Sequence, residues 1–481
     1  MHRPFYIYNT LSRSVEEFKP LSPGVVTYYS CGPTVYLPQH LGNMRCYLFY
    51  DTLRRALEFN GYRVRHVMNI TDVGHLTSDQ DAGEDKIEKT ARAEGRTPQE
   101  VADFYIGQFK EDLARLNIET PEAFCRATEH ISEMQALIAR ILARGFAYVT
   151  ASGVYFDIEK YRGAQRSGRL SRQNLDEQDT AQRLEHSSDK RSPHDFALWV
   201  LNQPNHLMQW DSPWGRGYPG WHIECSAMSL AYFREHVKGF EDTIDIHLGG
   251  IDHIPIHHEN EIAQSESATG KPFVRYFVHN AFLVGMEGEK ISKSAGRFPV
   301  LEDLIGAEID PLAFRLFCLG AKYRSQLAFS GEAVRASAKN LEYFRGFARD
   351  VPLDIAQSGE PDSSWTSEYL DKFTVAVNTD LNTPQALAVA LDLAAESYRR
   401  DDRRIWQTLK SFDQILGVGL QAGRPLDESF PPEIDELISE RRDARKRRDF
   451  KRSDELRAKL EERGFMVKDN SDGTSSYAPR G

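Results

Sequence analysis

Residues 1–330 predict an α/β fold built on a parallel sheet, and the residues after 330 predict a helical region that ends in a short basic tail. The segment GVVTYYSCG (24–32) is rich in β-branched and aromatic residues and stops at Gly-Pro, as a strand does. A helical pattern over about 41–60, closed by Gly61, leads to a second strand, RVRHVMNITDV (63–73), with Asn69 and Asp72 near its C-terminal end. Strand, helix and strand in close succession imply a right-handed crossover and parallel pairing.

A helical stretch follows over about 85–118. Residues about 120–200 then break the alternation with a helix, the short β-like piece SGVYFDI and a hydrophilic run to Lys190, which reads as an insertion. The sheet pattern resumes with DTIDIHLGG (242–250) and VRYFVHNAFLV (274–284), each followed by a loop with polar residues. Beyond 330 the pattern is helical, and LDIAQSGEPDSSW (353–365) and LQAGRPLDESFPPE (420–433) have the Gly, Pro and Ser content of linkers. The tail reads as two helices. The first covers about 434–447; the second starts near Ser453, a good N-cap with Asp454 and Glu455 in its first turn, and stops at Gly464.

A chain of 481 residues is too long for one core, so three or four folding units are expected. Its 40% apolar and 27% charged content is that of an ordinary soluble protein. No run is apolar enough to span a bilayer, and the first twenty residues lack an apolar signal core. The five cysteines, Cys31, Cys46, Cys125, Cys225 and Cys318, are odd in number and scattered, which argues against a disulfide framework. A reducing, cytoplasmic setting without membrane contact is the expectation. The net charge of -11 reverses locally: residues 441–468 carry a net of +6, a patch that can guide one polyanion.

Two loops suit phosphate chemistry. In CGPTVYLPQHLGNMR (31–45), His40, Gly42 and Asn43 stand where a strand turns into a helix; Gly42 admits a ligand near the backbone, and His40 and Asn43 can donate to phosphate oxygens at the positive helix terminus. In GEKISKSAG (288–296), Lys290 and Lys293 can neutralise charge on a leaving polyphosphate. Singly, the first is often a plain helix start and the second a solvated loop. A third constellation suits a metal. GWHIECSAM (220–228) supplies Cys225, and PIHHENEIAQS (255–265) supplies His257 and Glu261 four residues apart, on one helical face. Cys31 ends the first strand. Because C-terminal strand ends of a parallel sheet gather at one crevice, these residues can converge into a zinc shell. HHENE lacks the HExxH spacing, which excludes the metalloprotease reading.

The pair HLGN and KISKS resembles the nucleotide signatures of class I aminoacyl-tRNA synthetases. With YSCGPTVY, NITD (69–72), KRSPHDFALW (190–199), SPWGRGYPGWHIECSAM, HHENEIAQS, DLNTPQALA (380–388) and RRDARKRRDF (441–450), the resemblance becomes specific to the cysteinyl-tRNA synthetase family and runs nearly end to end. The resemblance implies a Rossmann-type catalytic domain (1–125 and 201–270) with an inserted connective domain (126–200), a KISKS-bearing junction (271–330), a helical bundle (331–425) and a C-terminal anticodon-binding domain (426–481). It implies one zinc ion on Cys31, Cys225, His257 and Glu261, which selects cysteine through its sulfur. It places Thr71 and Trp221 in the amino-acid pocket and Asp252 at the adenosine. His40, Asn43, Lys290 and Lys293 would act on ATP supplied with Mg²⁺. Arg441, Arg445, Asp454, Arg457 and Asp469 would read the anticodon of tRNA(Cys), with Phe450 able to stack. A monomer is expected.

The sequence departs from the family pattern in four places. Asn43 stands where the second His of HIGH is usual, which keeps a donor and removes a charge. KMSKS is KISKS here, and Gly-Gly-Gly-Ser-Asp is Leu-Gly-Gly-Ile-Asp. The segment GHLTSDQDAGEDK (74–86) is longer than usual and reads as a flap. A ligase that passes cysteine to an amino-sugar would share the zinc site and the adenylation but resembles a truncated chain, without the 380–388 region and the basic tail. A tRNA-binding protein without catalysis would not need HLGN, KISKS and four metal ligands together, and a purely structural zinc protein would not need the nucleotide motifs.

Overall fold

In the computed structural model the described residues are 3–73, 85–164, 168–172, 189–204, 206–285, 298–351, 365–400, 402–420, 432–447, 449–469 and 475–479. The chain opens with a hairpin, β1 (Tyr6–Asn9) and β2 (Ser14–Glu17). The chain continues through β3 (Val25–Ser30), α1 (Leu41–Phe59), β4 (Arg63–Ile70), α2 (Lys86–Glu94), α3 (Pro98–Arg115) and β5 (Ala123–Arg126). The insertion contains α4 (Ile131–Ala143), β6 (Ala147–Val149), β7 (Gly153–Phe156), α5 (Ile158–Ala164), β8 (Phe196–Leu201) and β9 (Gly217–Pro219). The alternation resumes with α6 (Trp221–His236), β10 (Ile244–Gly250), α7 (His257–Thr269), β11 (Val274–Asn280) and β12 (Leu283–Val284). After α8 (Leu301–Gly306), α9 (Pro311–Leu319) and the short β13 (Leu327–Ala328), the chain is helical through α10 (Gly331–Asp350), α11 (Thr366–Asn378), α12 (Thr383–Arg400) and α13 (Trp406–Leu416). The tail comprises α14 (Pro432–Lys446), α15 (Phe450–Glu462), β14 (Phe465–Asp469) and β15 (Ser475–Pro479).

The central sheet has the order β11-β10-β3-β4-β5, and each pairing is parallel. Every residue of β10 is buried, as a strand covered by helices on both faces must be. The first sheet strand in the chain, β3, lies between β4 and β10, so successive crossovers wind outward in opposite directions from it. That switch opens a crevice at the C-terminal strand ends. Cys31, Thr71 and the residues after Gly250 all emerge there. The 85–118 stretch is two helices, divided at Gly95 (φ +67°), and Thr97 and Glu100 form a capping box at the second start.

The insertion is more ordered than its composition predicts: β6 to β9 form a four-stranded antiparallel sheet around Trp199, whose last strand lies past the expected boundary at 200. This sheet delivers the chain directly into α6. A Cβ at Gly220, the N-cap of α6, would stand 2.1 Å from the Ala197 carbonyl oxygen, so only glycine lets the helix start against β8.

In the tail, Asp449 rather than Ser453 caps α15: its carboxylate accepts from the Arg452 amide at 3.1 Å, and Ser453 is buried in the first turn. The expected linkers at 353–365 and 420–433 lie almost wholly outside the described residues.

One buried ion cluster ties α9 and the end of α13 to α1. The Arg315 guanidinium donates to Asp51 (2.6 Å) and to the carbonyls of Leu416 (2.6 Å), Leu116 (3.1 Å) and Asn117 (3.0 Å), while Arg55 also donates to Asp51 (2.7 Å). All three charged side chains are buried. Replacing Arg315 by Met removes one of the two cations on Asp51 and the side-chain donor to the Leu416 and Leu116 carbonyls, and is expected to cost about 3–5 kcal/mol of stability in denaturant unfolding; a loss below about 1 kcal/mol, the worth of a surface pair, would contradict the role given to this cluster.

Candidate active site and metal centre

Cys31 follows β3 directly, and its amide donates to the Leu248 carbonyl of β10 at 3.1 Å, which fixes the thiol over the crevice. Cys225 sits in the second turn of α6; His257 and Glu261 lie one turn apart on α7. One ligand atom from each of these four buried side chains lies within 4.8 Å of every other. Two sulfurs, one imidazole and one carboxylate make a donor set suited to tetrahedral zinc, so the residues present fit the ion.

A shell of imidazoles orients these donors. His257 presents Nε2 to Glu261 Oε1 at 3.1 Å, and its Nδ1 lies 2.9 Å from His222 Nδ1. His247 Nε2 lies 3.0 and 3.2 Å from the two Glu261 oxygens. His258 reaches Cys31 Sγ at 3.4 Å and stands 2.7 Å from His279, which meets the Thr10 hydroxyl at 2.8 Å. Cys31, His247, His258 and Glu261 form a second set with the same mutual reach, sharing two members with the first. A Cβ at Gly249 would fall 2.6 Å from the His258 ring, so the glycine makes room for this packing.

The charges are polarised accordingly. The hydrogen bond with Cys31 lowers the Cys225 thiol to about 6, against burial and with further help from His257. Cys31 moves well above its usual value through burial and the neighbouring Cys225. Burial opposes ionisation of Glu261, but His247 and His257 overcome it and bring the carboxyl to about 2. Burial likewise opposes a charge on His257, which Glu261 and Cys225 nevertheless raise to about 10.

Trp221 opens α6, its ring centroid 4.7 Å from that of His257. The Thr71 hydroxyl donates to Glu224 Oε2 at 2.8 Å, which joins the end of β4 to α6 beside Cys225. Sequence reasoning missed Glu224. It stands within the quoted GWHIECSAM run, but nothing in that run shows that it faces Thr71 rather than the metal. Burial, with Cys225 adjacent, holds its carboxyl well above the usual range.

At the start of α1, His40 caps the helix: its Nδ1 accepts from the Asn43 amide at 3.1 Å, and the Asn43 side chain donates to Gln39 at 2.8 Å. The His40 ring stacks on Phe298 (4.7 Å), and the Leu41 amide donates to the Pro299 carbonyl (2.8 Å). Phe298 is the first described residue after the lysine loop, so that loop rejoins the described chain at HLGN. Lys290 and Lys293 themselves lie outside the described residues, as do positions 74–84 of the expected flap. Asp252 is exposed on the turn after β10, its carboxylate so close to Gly250 that a Cβ there would meet it at 2.3 Å.

In the tail, Arg441 is buried, donating to Ser475 Oγ (2.8 Å) and the Ser453 carbonyl (3.3 Å). Arg457 pairs with Glu461 (2.9 Å) and donates to the Val467 carbonyl (3.1 Å). Arg445 is half-buried, Asp454 is exposed, and Phe450 is 60% exposed. Asp469 ends β14, and its side chain lies outside the described residues. Among the described residues no helix is long and apolar enough to cross a membrane.

Comparison with known proteins agrees with this geometry. Residues 17–339 match the family described as tRNA synthetases class I (C), catalytic domain, and residues 427–475 match the cysteinyl-tRNA ligase anticodon binding domain. The cysteine--tRNA ligase of Treponema denticola is 43% identical, with 98% of each chain covered. That of Chlorobaculum tepidum is 42% identical over the same shares. Among solved structures, a Mycobacterium tuberculosis methionyl-tRNA synthetase bound to methionyl-adenylate shares the fold at a TM-score of 0.55 and 16% identity, covering 82% of this chain and 91% of that one. A leucyl-tRNA synthetase ternary complex from Agrobacterium radiobacter does so at 0.57 and 13%, covering 84% of each. The chain belongs to the cysteinyl-tRNA ligase family of class I aminoacyl-tRNA synthetases.

Proposed function

We propose that this chain activates cysteine with ATP and transfers it to the 3′ end of tRNA(Cys), and that Cys31, Cys225, His257 and Glu261 hold a zinc ion for amino-acid selection. The carrying observation is the meeting of those four side chains within 4.8 Å, beside Trp221 and Thr71, in the crevice that also receives HLGN. When bound, zinc would take the substrate's sulfur as a thiolate and discriminate against the hard, high-pKa hydroxyl of serine. Shape alone would separate such near-isosteres by only about 1–3 kcal/mol.

The residues of the chain supply positioning and charge. Thr71, held by Glu224, and Trp221, packed on His257, bound the amino-acid pocket. Asp252, on its turn, is aimed at the adenosine. His40 and Asn43, at the positive end of α1, orient the phosphates while the cysteine carboxylate attacks the α-phosphate of Mg²⁺-ATP. Lys290 and Lys293 stabilise the departing pyrophosphate. The terminal hydroxyl of the tRNA then displaces AMP from the adenylate. Neither step requires a protein nucleophile, so orientation and electrostatics account for the rate. Arg445, Arg457, Asp454 and Asp469, with the exposed Phe450, form the surface that receives the anticodon, and Arg441 supports it from within. The free cysteines support a reducing, cytoplasmic setting.

Cys225→Ser is expected to lower cysteine-dependent ATP–pyrophosphate exchange by at least about a hundredfold, since losses outside the ligand set already cost about 10–100-fold. Exchange near the unmodified rate would contradict the ligand assignment. Ending the chain at residue 425 is expected to preserve exchange and abolish charging of total tRNA with cysteine; equal loss of both would make the tail a folding element instead.

A further inference from the structure

We propose that Asp85 and His206, with Glu88 supporting the imidazole, form a second divalent-cation site, distinct from the thiol ligands, which fastens α2 to the segment leading into β9 and α6.

Asp85 caps α2. Its Oδ1 accepts from the Ile87 and Glu88 amides at 2.7 and 2.9 Å, and this satisfies one oxygen only. Oδ2 is buried, on a residue 3% exposed, and has no hydrogen-bond partner among the described residues. Glu88 Oε1 accepts from the Leu207 amide at 2.7 Å and stands 2.7 Å from His206 Nδ1. The His206 side chain is 7% exposed, and its ring centroid lies 4.0 Å from that of Tyr218. Its Nε2 is buried and likewise without a hydrogen-bond partner. The two unpartnered atoms face each other: Nε2 and Asp85 Oδ2 are 3.9 Å apart, and one ligand atom from each of the three residues lies within 4.8 Å of the others.

Two buried polar atoms without a hydrogen bond stand on either side of this gap. Nδ1 is engaged by Glu88, so Nε2 is the ring atom that remains for a ligand, opposite the free oxygen of Asp85. A proton on Nε2 would give an ion pair at 3.9 Å but no hydrogen bond, which leaves both buried atoms unsatisfied. A cation with bonds of about 2.0–2.2 Å to each atom spans it. The Glu88–His206 contact then becomes the familiar outer support of a metal-bound imidazole, fixing the tautomer and the ring plane. One imidazole and carboxylate oxygens favour Zn²⁺ or Mn²⁺ over Mg²⁺ or Ca²⁺. The ion would hold His206 against α2, on the chain that passes through Tyr218 and Gly220 to Trp221 and Cys225.

The test is a metal titration of the full-length protein. After loading with Zn²⁺ and desalting, two ions per chain are expected by atomic absorption, falling to one in both Asp85→Asn and His206→Gln with unchanged circular dichroism. One ion in the unmodified chain, or two in both variants, overturns the proposal. Cobalt decides without variants: in the unmodified protein the second equivalent of Co²⁺ should add absorption without sulfur-to-cobalt charge transfer, and such charge transfer on the second equivalent places it elsewhere. Cys225→Ser should lose the sulfur bands yet retain the second ion, so a failure here and a failure of the thiolate site give different spectra.

Discussion

Glu261 has no exposed surface, yet it stands as a carboxylate between His247 and His257 with two cysteines beside them. Burying an ion costs several kcal/mol, about as much as its partners return only when their geometry is well fixed. That requirement constrains the catalytic half of the molecule. α7 must bring His257 and Glu261 to the sheet on one face, β10 must end at His247 and two glycines, and β3 must stop where Cys31 faces them. A shift of one residue in any strand would turn its end group to the other side of the sheet.

The parallel topology makes this convergence possible. Four crossovers carry chain segments more than 200 residues apart to one edge, where β3 and β10 are neighbours although the whole insertion separates them in sequence. The insertion is therefore part of the site's architecture. Its last strand enters α6 through Gly220, so the register of the antiparallel sheet sets the position of Trp221 and Cys225. Phe298 and Pro299, the first described residues after the lysine loop, pack on His40 and Leu41 at the start of α1.

The strands of the central sheet were legible because burial on both faces demands apolar runs, and GVVTYYS and DTIDIHLGG have no other good use. His257 and Glu261 could be placed on one face by their spacing alone. Their convergence with Cys31 and Cys225 was legible as an option from parallel-sheet topology, and the likeness to a family made it a single ligand set, because periodicity carries no information on contacts between crossovers. The same limit hid Glu224, His222 and His279, whose partners lie 21–153 residues away. In the insertion, strands of three to six residues are too short to show a period beside long polar loops. In the tail, Asp449 and Ser453 are equally good caps one turn apart, and packing of Ser453 against α14 decided between them. Arg441 reads as part of a solvated basic run, and its burial is a tertiary fact.

The central claim is that the four side chains around Glu261 enclose a metal that meets the substrate's sulfur. X-ray absorption at the zinc edge of the full-length Asp85→Asn protein, in which only the thiol-bearing site should be filled, addresses it most directly. Two sulfur neighbours at about 2.3 Å are predicted without substrate and three after cysteine is added, with serine leaving the spectrum unchanged. A shell without sulfur, or a sulfur count that ignores cysteine, would contradict the account.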